Sequence, residues 1–445
     1  MHRTGAVGYI AVDVLNNATV CNEAVGLIAE GIPLDIVSVR RFDQPTYYQE
    51  ETLSDLAGRI HTLYPLRWQS VVWALVLAPW VFGFRFWVAL AKALGCPAEG
   101  WKQKLRVLIH FVPALCVALR WRKRGVTHVH AHWAHTATTI AMHAAELLGV
   151  GFSFTGHAND LFVHRVALRA KARRARFVVC ISEFHRQLFL KLGADRFRLP
   201  VVYCGIDTSR FRAATALPRS EPSRPRILGV GRLVEKKGFH LLIAACAGLR
   251  DRGFPFECLI AGSGPEQDRL QRVIADYNLQ NQISVTGQPV LQEDLGPLLR
   301  TASVVALPCI RDRDGDMDGL PQVLIEAMAC DVPVVSTRLV GIPDLVRDGW
   351  NGKLVTAGGV PDLTDALAEF LGNPNEAAAM GQRAGSWVRS HFDRSEAVRR
   401  LADLFLHAAA TQTCAAPLRR WDAAPETPAI VPDEEAFELT HAGNY

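Results

Sequence analysis

The chain has 445 residues, 49% of them hydrophobic and 21% charged, with a formal net charge of +5. That length exceeds what one core serves and the apolar fraction suffices for two, so a soluble two-domain enzyme is expected and a disordered or fibrous chain is excluded. The charge is too modest, and too little interleaved with base-stacking aromatics, for a nucleic-acid binder. Ten cysteines without a Cys-x-x-Cys pair or zinc spacing, and an amino terminus without a charged start, apolar core and cleavage site, predict a reducing, cytoplasmic setting.

Residues 1–208 alternate short apolar strands with helices and form the first expected domain. Asn16, Asn17 and Thr19 read as a polar turn and helix cap. Residues 71–84 are uncharged and apolar, interrupted by Pro79 and Gly83, and fall short of the ~20 residues that span a bilayer. Trp73, Trp80 and Trp87 recur every seven residues and share one helical face if Pro79 only kinks the helix. Two readings stay open there: a packed core helix, or an interfacial surface with its indoles at the headgroup level beside Arg67, Arg85 and Lys92. The basic run Arg120, Arg122, Lys123 and Arg124, with Lys102, Lys104 and Arg106 upstream, fits a solvated face or an anionic membrane surface. Residues 65–125 are thus the candidate membrane-contact region. His128, His130 and His132 alternate along a strand and share its face, where a metal is conceivable but not expected. Residues 177–181 read as a buried strand, and 201–207 close this half.

A Pro-, Ser- and Arg-rich connector within 209–225 separates the halves, and residues 226–390 repeat strand, glycine turn and helix. Ile227-Leu228 leads into Gly229-Val230-Gly231-Arg232-Leu233-Val234-Glu235-Lys236-Lys237-Gly238, then a helix over 239–249. Gly231 admits close backbone approach, while Arg232 and Lys237 can clamp a diphosphate at the positive end of that helix. Neither this segment nor Gly262-Ser263-Gly264-Pro265 completes Gly-x-Gly-x-x-Gly, so nicotinamide chemistry is disfavoured. Further strands are expected at 256–261, 283–286, 304–307 and 332–336. Asp318 and Glu326 stand eight residues apart, bracketing Gly319, Leu320 and Pro321, which is expected at the first helical position. Asp314, Asp316 and Asp318 imitate the start of a calcium loop, but its twelfth position is Ile325. A helix is expected over 391–411, with a return to the first domain left open, and the Ala-, Pro- and acid-rich residues 412–445 are expected to be disordered.

Gly231-Arg232-Leu233, Lys237-Gly238, Gly262-Ser263-Gly264-Pro265, Thr286-Gly287 and the acid-x7-acid helix resemble the carboxy-terminal half of a family 4 retaining glycosyltransferase. His128-Val129-His130-Ala131-His132-Trp133 and Phe154-Thr155-Gly156-His157-Ala158-Asn159-Asp160 are similar to its exopolysaccharide, colanic-acid-like branch. The resemblance covers about residues 120–395. It implies an α/β fold of GT-B type, two doubly wound Rossmann-like domains facing across a cleft. It also implies transfer of a hexose, with retention, from a GDP- or UDP-linked sugar to a soluble or lipid-linked saccharide, with no cofactor or metal. In that resemblance Glu326 meets the donor ribose, Asp318 the sugar hydroxyls and His157 the sugar and phosphate. Arg232, Lys237, Gly231, Gly319 and Leu320 hold the diphosphate, with the base near Thr286 and Gly287. Asn16, Asn17, Asn159 and Asp160 are candidates for the acceptor side. Two departures stand out: Asp318 replaces the usual glutamate, and residues 15–23 replace a Ser-Glu-Thr-Phe loop, so acceptor choice does not transfer. A nucleotide-sugar epimerase and an inactive sugar-nucleotide-binding protein are the alternatives.

Overall fold

The computed structural model describes residues 5–40, 56–98, 100–215 and 224–410; the expected tail at 412–445 and residues 216–223 of the expected linker lie outside it. The described residues fall into two compact units, one built from residues up to 203 together with 397–410, the other from 204–396.

The first unit is a parallel six-stranded sheet in the order β3-β2-β1-β4-β5-β6. Its strands are β1 (Ala6–Ala11), β2 (Leu34–Ser38), β3 (Ile60–Thr62), β4 (Val126–His132), β5 (Gly151–Thr155) and β6 (Phe177–Val179). Every neighbouring pair is parallel, and β1, β2, β4, β5 and β6 are mostly buried, the pattern of a sheet covered by helices on both faces. Helix α1 (Ala18–Ala29) follows β1. Between β3 and β4 the chain makes four helices: α2 (Trp68–Phe82), α3 (Phe84–Leu94), α4 (Trp101–Ile109) and α5 (Phe111–Arg124); α6 (Thr136–Leu148) follows β4. Trp121 of α5 lies flat on β1, so close that a Cβ on Gly8 would stand 2.7 Å from the indole.

The seven-residue tryptophan repeat does not make one helical face. Pro79 stays inside α2, and the break comes at Gly83, whose φ of +53° a side chain would strain. Beyond it α3 turns away by 116°, so Trp73 and Trp80 belong to one helix and Trp87 to the next.

The second unit is also a parallel six-stranded sheet, ordered β12-β11-β10-β7-β8-β9. Its strands are β7 (Arg226–Val230), β8 (Glu257–Ala261), β9 (Ile283–Val285), β10 (Val304–Leu307), β11 (Val334–Thr337) and β12 (Lys353–Val355). Counted from its own first strand, this sheet has the same order as the other. Both are doubly wound, with the order reversing between β1 and β4 in one unit and between β7 and β10 in the other. Ligands of such sheets bind at the carboxyl ends of the two strands flanking that reversal.

Two local expectations are corrected. Residues 209–215 of the expected linker belong to a helix, Thr208–Thr215. Pro321 is not the first helical residue: its ψ of 116° is extended, and it caps a helix running Gln322–Ala329.

Candidate functional site

In the second unit the reversal lies between β7 and β10, and the chain after each strand supplies the predicted residues. After β7, Lys237 sits in a 3₁₀ turn (Glu235–Lys237) that hands over to the Phe239–Asp251 helix through Gly238, at φ +68°. The long loop after β10 brings Asp318 back beside it. Lys237 Nζ lies 2.7 Å from Asp318 Oδ2, and Lys236 Nζ lies 3.4 Å from Asp318 Oδ1 and 2.8 Å from Asp316 Oδ2. The buried Cys309 thiol donates to Asp318 Oδ2 over 3.6 Å. Burial raises the cost of charge on Asp318, but Lys237 and Lys236 outweigh it and hold its pKa below the usual carboxylate value. Burial likewise opposes the charge on Lys237, and Asp318 more than offsets it, so that ammonium stays protonated above its ordinary pKa. The expected acidic loop therefore balances lysines. Its Asp312 side chain accepts from the backbone of Asp314 and Asp316, closing an Asx-type turn.

Glu326 lies on the Gln322–Ala329 helix and is only 5% exposed. Its Oε1 accepts from Gln292 Nε2 over 3.3 Å. Burial pushes its carboxyl up to about 7, against the pull of Gln292, Arg210 and Lys237. No side chain caps that helix, whose first turn follows the buried Gly319 and Leu320. Gly319 is held by its carbonyl, which accepts from Gly341 over 2.9 Å. Arg232 is exposed and makes no ion pair among the described residues. Gly231 donates to Ala261, and a Cβ on Gly262 would stand 1.9 Å from the Gly231 carbonyl oxygen, so the two glycine clusters need each other's missing side chains. Thr286 accepts from the Gly262 N–H over 3.0 Å, and Gly287, at φ +66°, passes against Gln267. All residues expected around the donor except His157 thus belong to this unit.

A consequence for Glu326 can be measured in the ligand-free protein. An acid whose folded pKa is raised keeps its proton in the native state where the unfolded chain has lost it, so stability falls as pH rises from 4.5 to about 7. Glu326→Gln removes that term. The variant is expected to gain on the parent by about 1 kcal/mol at pH 5.5 and by about 3 kcal/mol at pH 8. Hydrogen exchange of the Gln322–Ala329 helix reads the difference, and a gap independent of pH would show that Glu326 is already ionised.

In the first unit, the strand ends at the reversal carry a hydrogen-bonded chain that sequence reading missed. Tyr9 on β1 donates to Glu23 Oε1 over 2.9 Å, and His132 Nε2, at the end of β4, also lies 2.9 Å from that oxygen. His132 Nδ1 lies 3.1 Å from His157 Nε2, and the two rings stack with centroids 5.4 Å apart. His132 Nε2 also lies 2.7 Å from the Tyr9 hydroxyl, so Tyr9, Glu23, His132 and His157 form one connected network whose proton order follows the tautomer of each ring. Burial, with His132 next, lowers the His157 pKa to about 4, so the ring is neutral at ordinary pH. Trp133, in a left-handed conformation at φ +67°, lies against the same ring at 5.2 Å. Glu23 was visible only as one residue of the divergent amino-terminal loop; its position on α1, one and a half turns past the cap, gave no sign of His132.

Asp160, expected on the acceptor side, does another job. It is fully buried and accepts from the backbone of Ala134, His157 and Ala158, tying the His157 loop to the end of β4. Asn159 opens the short Asn159–Phe162 helix behind it. Asn17 caps α1 by accepting from Val20, and the Asn16 N–H donates to Asp13. Lys171, another buried residue not foreseen, donates to the carbonyls of Ala134 and His135; burial lowers its pKa to about 7.

The alternating histidines do share one face. His128 and His130 both meet Ser153 Oγ at 2.8 Å, across the β4–β5 pairing. Glu23, His130 and His132 bring potential metal-binding atoms within 4.8 Å of one another. Tetrahedral zinc wants its ligand atoms roughly 3.4 Å apart. His130 already contacts Ser153 and Thr155 through its two nitrogens, so this cluster fits a hydrogen-bonded network better than an ion.

Two parallel doubly wound units of the same strand order define a two-domain α/β fold of GT-B type. The description "Glycosyltransferase Family 4" matches residues 17–210, and "Glycosyl transferases group 1" matches residues 216–387. A glycosyltransferase of Escherichia coli K12 named for colanic acid biosynthesis, WcaL, is 33% identical over 67% of this chain and 69% of its own. The GDP-mannose-dependent alpha-(1-6)-phosphatidylinositol monomannoside mannosyltransferase of Mycolicibacterium smegmatis is 33% identical over 54% of this chain and 65% of its own. The crystal structure of Anabaena HepE in complex with UDP superposes with a TM-score of 0.62 at 17% identity, over 90% of this chain and 99% of that one, a likeness of fold. The chain belongs to glycosyltransferase family 4 and is a glycosyltransferase.

Proposed function

We propose that this enzyme transfers a hexose from a nucleoside diphosphate sugar to a carbohydrate or lipid-linked saccharide, with retention, in the making of an exopolysaccharide or cell-surface glycan. The observation that carries the reading is the Lys237–Asp318 pair at the carboxyl ends of β7 and β10, within the electrostatic reach of the buried Glu326. A dianionic diphosphate suits Lys237, Arg232 and the uncapped helix after Gly319, so the leaving group is stabilised without a metal. Asp318 accepts from sugar hydroxyls and Glu326 from the ribose, while the base lies by Thr286 and Gly287. His157, neutral at ordinary pH, suits a hydroxyl of the hexose. In the transfer the anomeric carbon–oxygen bond to phosphate breaks as the acceptor oxygen bonds to that carbon on the same face. The acceptor proton passes to the leaving phosphate. Colanic acid in the name of one relative and a phosphatidylinositol glycolipid in that of another support a cell-surface product, and the reading places the enzyme at the inner face of the cytoplasmic membrane.

The ribose must meet an ionised Glu326, so donor affinity is expected to fall as the pH drops below about 7. Thermal stabilisation by a panel of GDP- and UDP-linked sugars tests the reading, since a ligand that binds only the folded state raises its stability. A shift selective for one base, lost in Glu326→Gln, supports it and names the donor. No shift with any nucleotide would overturn it. The same donor incubated without acceptor should return unchanged, which separates transfer from epimerisation.

A further inference from the structure

We propose that α2, α3 and α4 form a platform that inserts into one leaflet of an anionic bilayer. Vesicle binding is read without any donor, so the proposal can fail while the donor reading stands, and the reverse.

The first support is an inverted distribution of side chains. Sheet, then α5 and α6, then α2 to α4 form successive layers: α2 packs on α5, α3 on α6, and α4 on both α3 and α5. Toward those partners α2 and α3 offer mostly small residues, with Ala74, Ala78, Ala89 and Ala93 all buried. Apart from the buried Phe82 and Phe86, their large apolar residues face outward instead. Trp73, Trp80, Phe84 and Trp87 are 63%, 86%, 81% and 59% exposed, and Trp68 and Trp101 are as open. An ordinary surface helix buries its bulky side chains and shows its polar ones. An outward aromatic face of this size marks an interaction surface, and indole rings favour the headgroup level of a bilayer.

The second support is charge. Between residues 64 and 125 there are ten Lys or Arg residues and one acid, Glu99, a balance of +9 in a chain whose total is +5. The structure sorts these cations. Arg85 donates to the Leu148 carbonyl and Lys92 pairs with Glu146, both anchoring α3 to α6, so neither is the headgroup contact that sequence suggested. Arg120 and Arg124 pair with Asp35. Arg67, Lys102, Lys104 and Arg106 are exposed and make no ion pair among the described residues. Their positions at the start of α2 and along α4 put cations beside the aromatics, which matches an anionic lipid surface better than a neutral protein face.

Geometry sets the depth. α2 has 15 residues, about 22 Å of helix, against a hydrocarbon core of about 30 Å. The 116° turn at Gly83 sends α3 away from that axis. No single helix among the described residues is long and apolar enough to cross a membrane, and this pair fits a shallow seat in one leaflet.

Flotation of the full chain with phosphatidylglycerol/phosphatidylcholine vesicles tests the proposal, with phosphatidylcholine vesicles as the reference. Binding should require the anionic lipid and weaken with salt. Trp73, Trp80 and Phe84 changed together to Ser should bind at least about tenfold more weakly. Changing Lys102, Lys104 and Arg106 to Gln should lose roughly fivefold per charge. Circular dichroism and thermal stability of both variants should match the parent, because every altered side chain is exposed. Absence of flotation by the parent, equal binding by the variants, or a dimer in light scattering that the aromatic variant dissolves would each overturn it.

Discussion

Replacing Lys237 with alanine is expected to lower sugar transfer by at least ~10²-fold, about 2.7 kcal/mol of transition-state stabilisation. The fold holds this charge in place before any ligand arrives. Lys237 is ion-paired with Asp318 at 2.7 Å, and its neighbour Lys236 reaches the same carboxylate only at 3.4 Å. When the glycosidic oxygen leaves as phosphate, negative charge grows where that ammonium already points, so little reorganisation is needed. The variant also leaves Asp318 short of a partner in a buried setting, which on its own destabilises the protein by several kcal/mol. The two effects separate in a double variant. Lys237→Ala with Asp318→Asn removes both charges, so stability should recover toward the parent while transfer stays low. Thermal melts and single-turnover rates measure the two, and near-parental rates in Lys237→Ala would remove the diphosphate clamp from the proposal.

Acid is expected to open the first unit while the second is still folded. His128, His143 and His185 are all but fully buried in the first unit, and burial drives each pKa down to about 3; His130 is lowered in the same direction. A histidine with a lowered native pKa contributes stability above 6.5 that is lost as pH falls toward its folded value, because the unfolded chain takes the proton first. At pH 4.5 that loss is about 2.7 kcal/mol for each of the three. Asp13, raised to about 6 by its own burial, returns about 2 kcal/mol as it is protonated in the native state. Over these four groups the loss is roughly 6 kcal/mol, comparable with the whole stability of an ordinary domain, and His110, His135 and His157, lowered to about 4, add to it in the same direction. In the second unit Glu326 gains on acidification, and Asp318, held below the usual carboxylate range, keeps its ion pair to lower pH. Hydrogen exchange at pH 4.5 should therefore show β4 and β5 losing protection while β7, β8 and β10 keep theirs. Simultaneous loss in both units would mean that the buried histidines are not what acid attacks.

Local regularities carried much of this protein into view from its sequence alone. The strand expected at 304–307 has its observed bounds, and those expected at 256–261, 283–286 and 332–336 come within about two residues, because buried parallel strands are short apolar runs punctuated by glycine; β12 at the sheet edge went unread. Gly231 and Gly262 announced a close backbone approach, since a missing side chain is written directly in the residue type. Asp318 and Glu326 were placed on a loop and its following helix by spacing alone. Where local geometry was finer than spacing, the outcome differed: Pro321 is a cap, and of the two interruptions at Pro79 and Gly83 it is Gly83 that ends the helix. What the tertiary structure alone decided was partnership. Lys237 and Asp318 meet because β7 and β10 are neighbours, an order that the 80 intervening residues do not express. Glu23, His132 and His157 likewise come from α1, β4 and the chain after β5, and the hydrogen-bonded network among them exists only once their strands lie side by side. Arg85 and Lys92 turned inward while Lys102 and Lys104 stayed free, because α6 offered a carbonyl and a carboxylate at one place and nothing at the other. Sequence determines which groups are present and how the nearest few can lie, through bond lengths and dihedral preferences. Folding decides which distant charges share a low-dielectric space, and hence their ionisation and their chemistry.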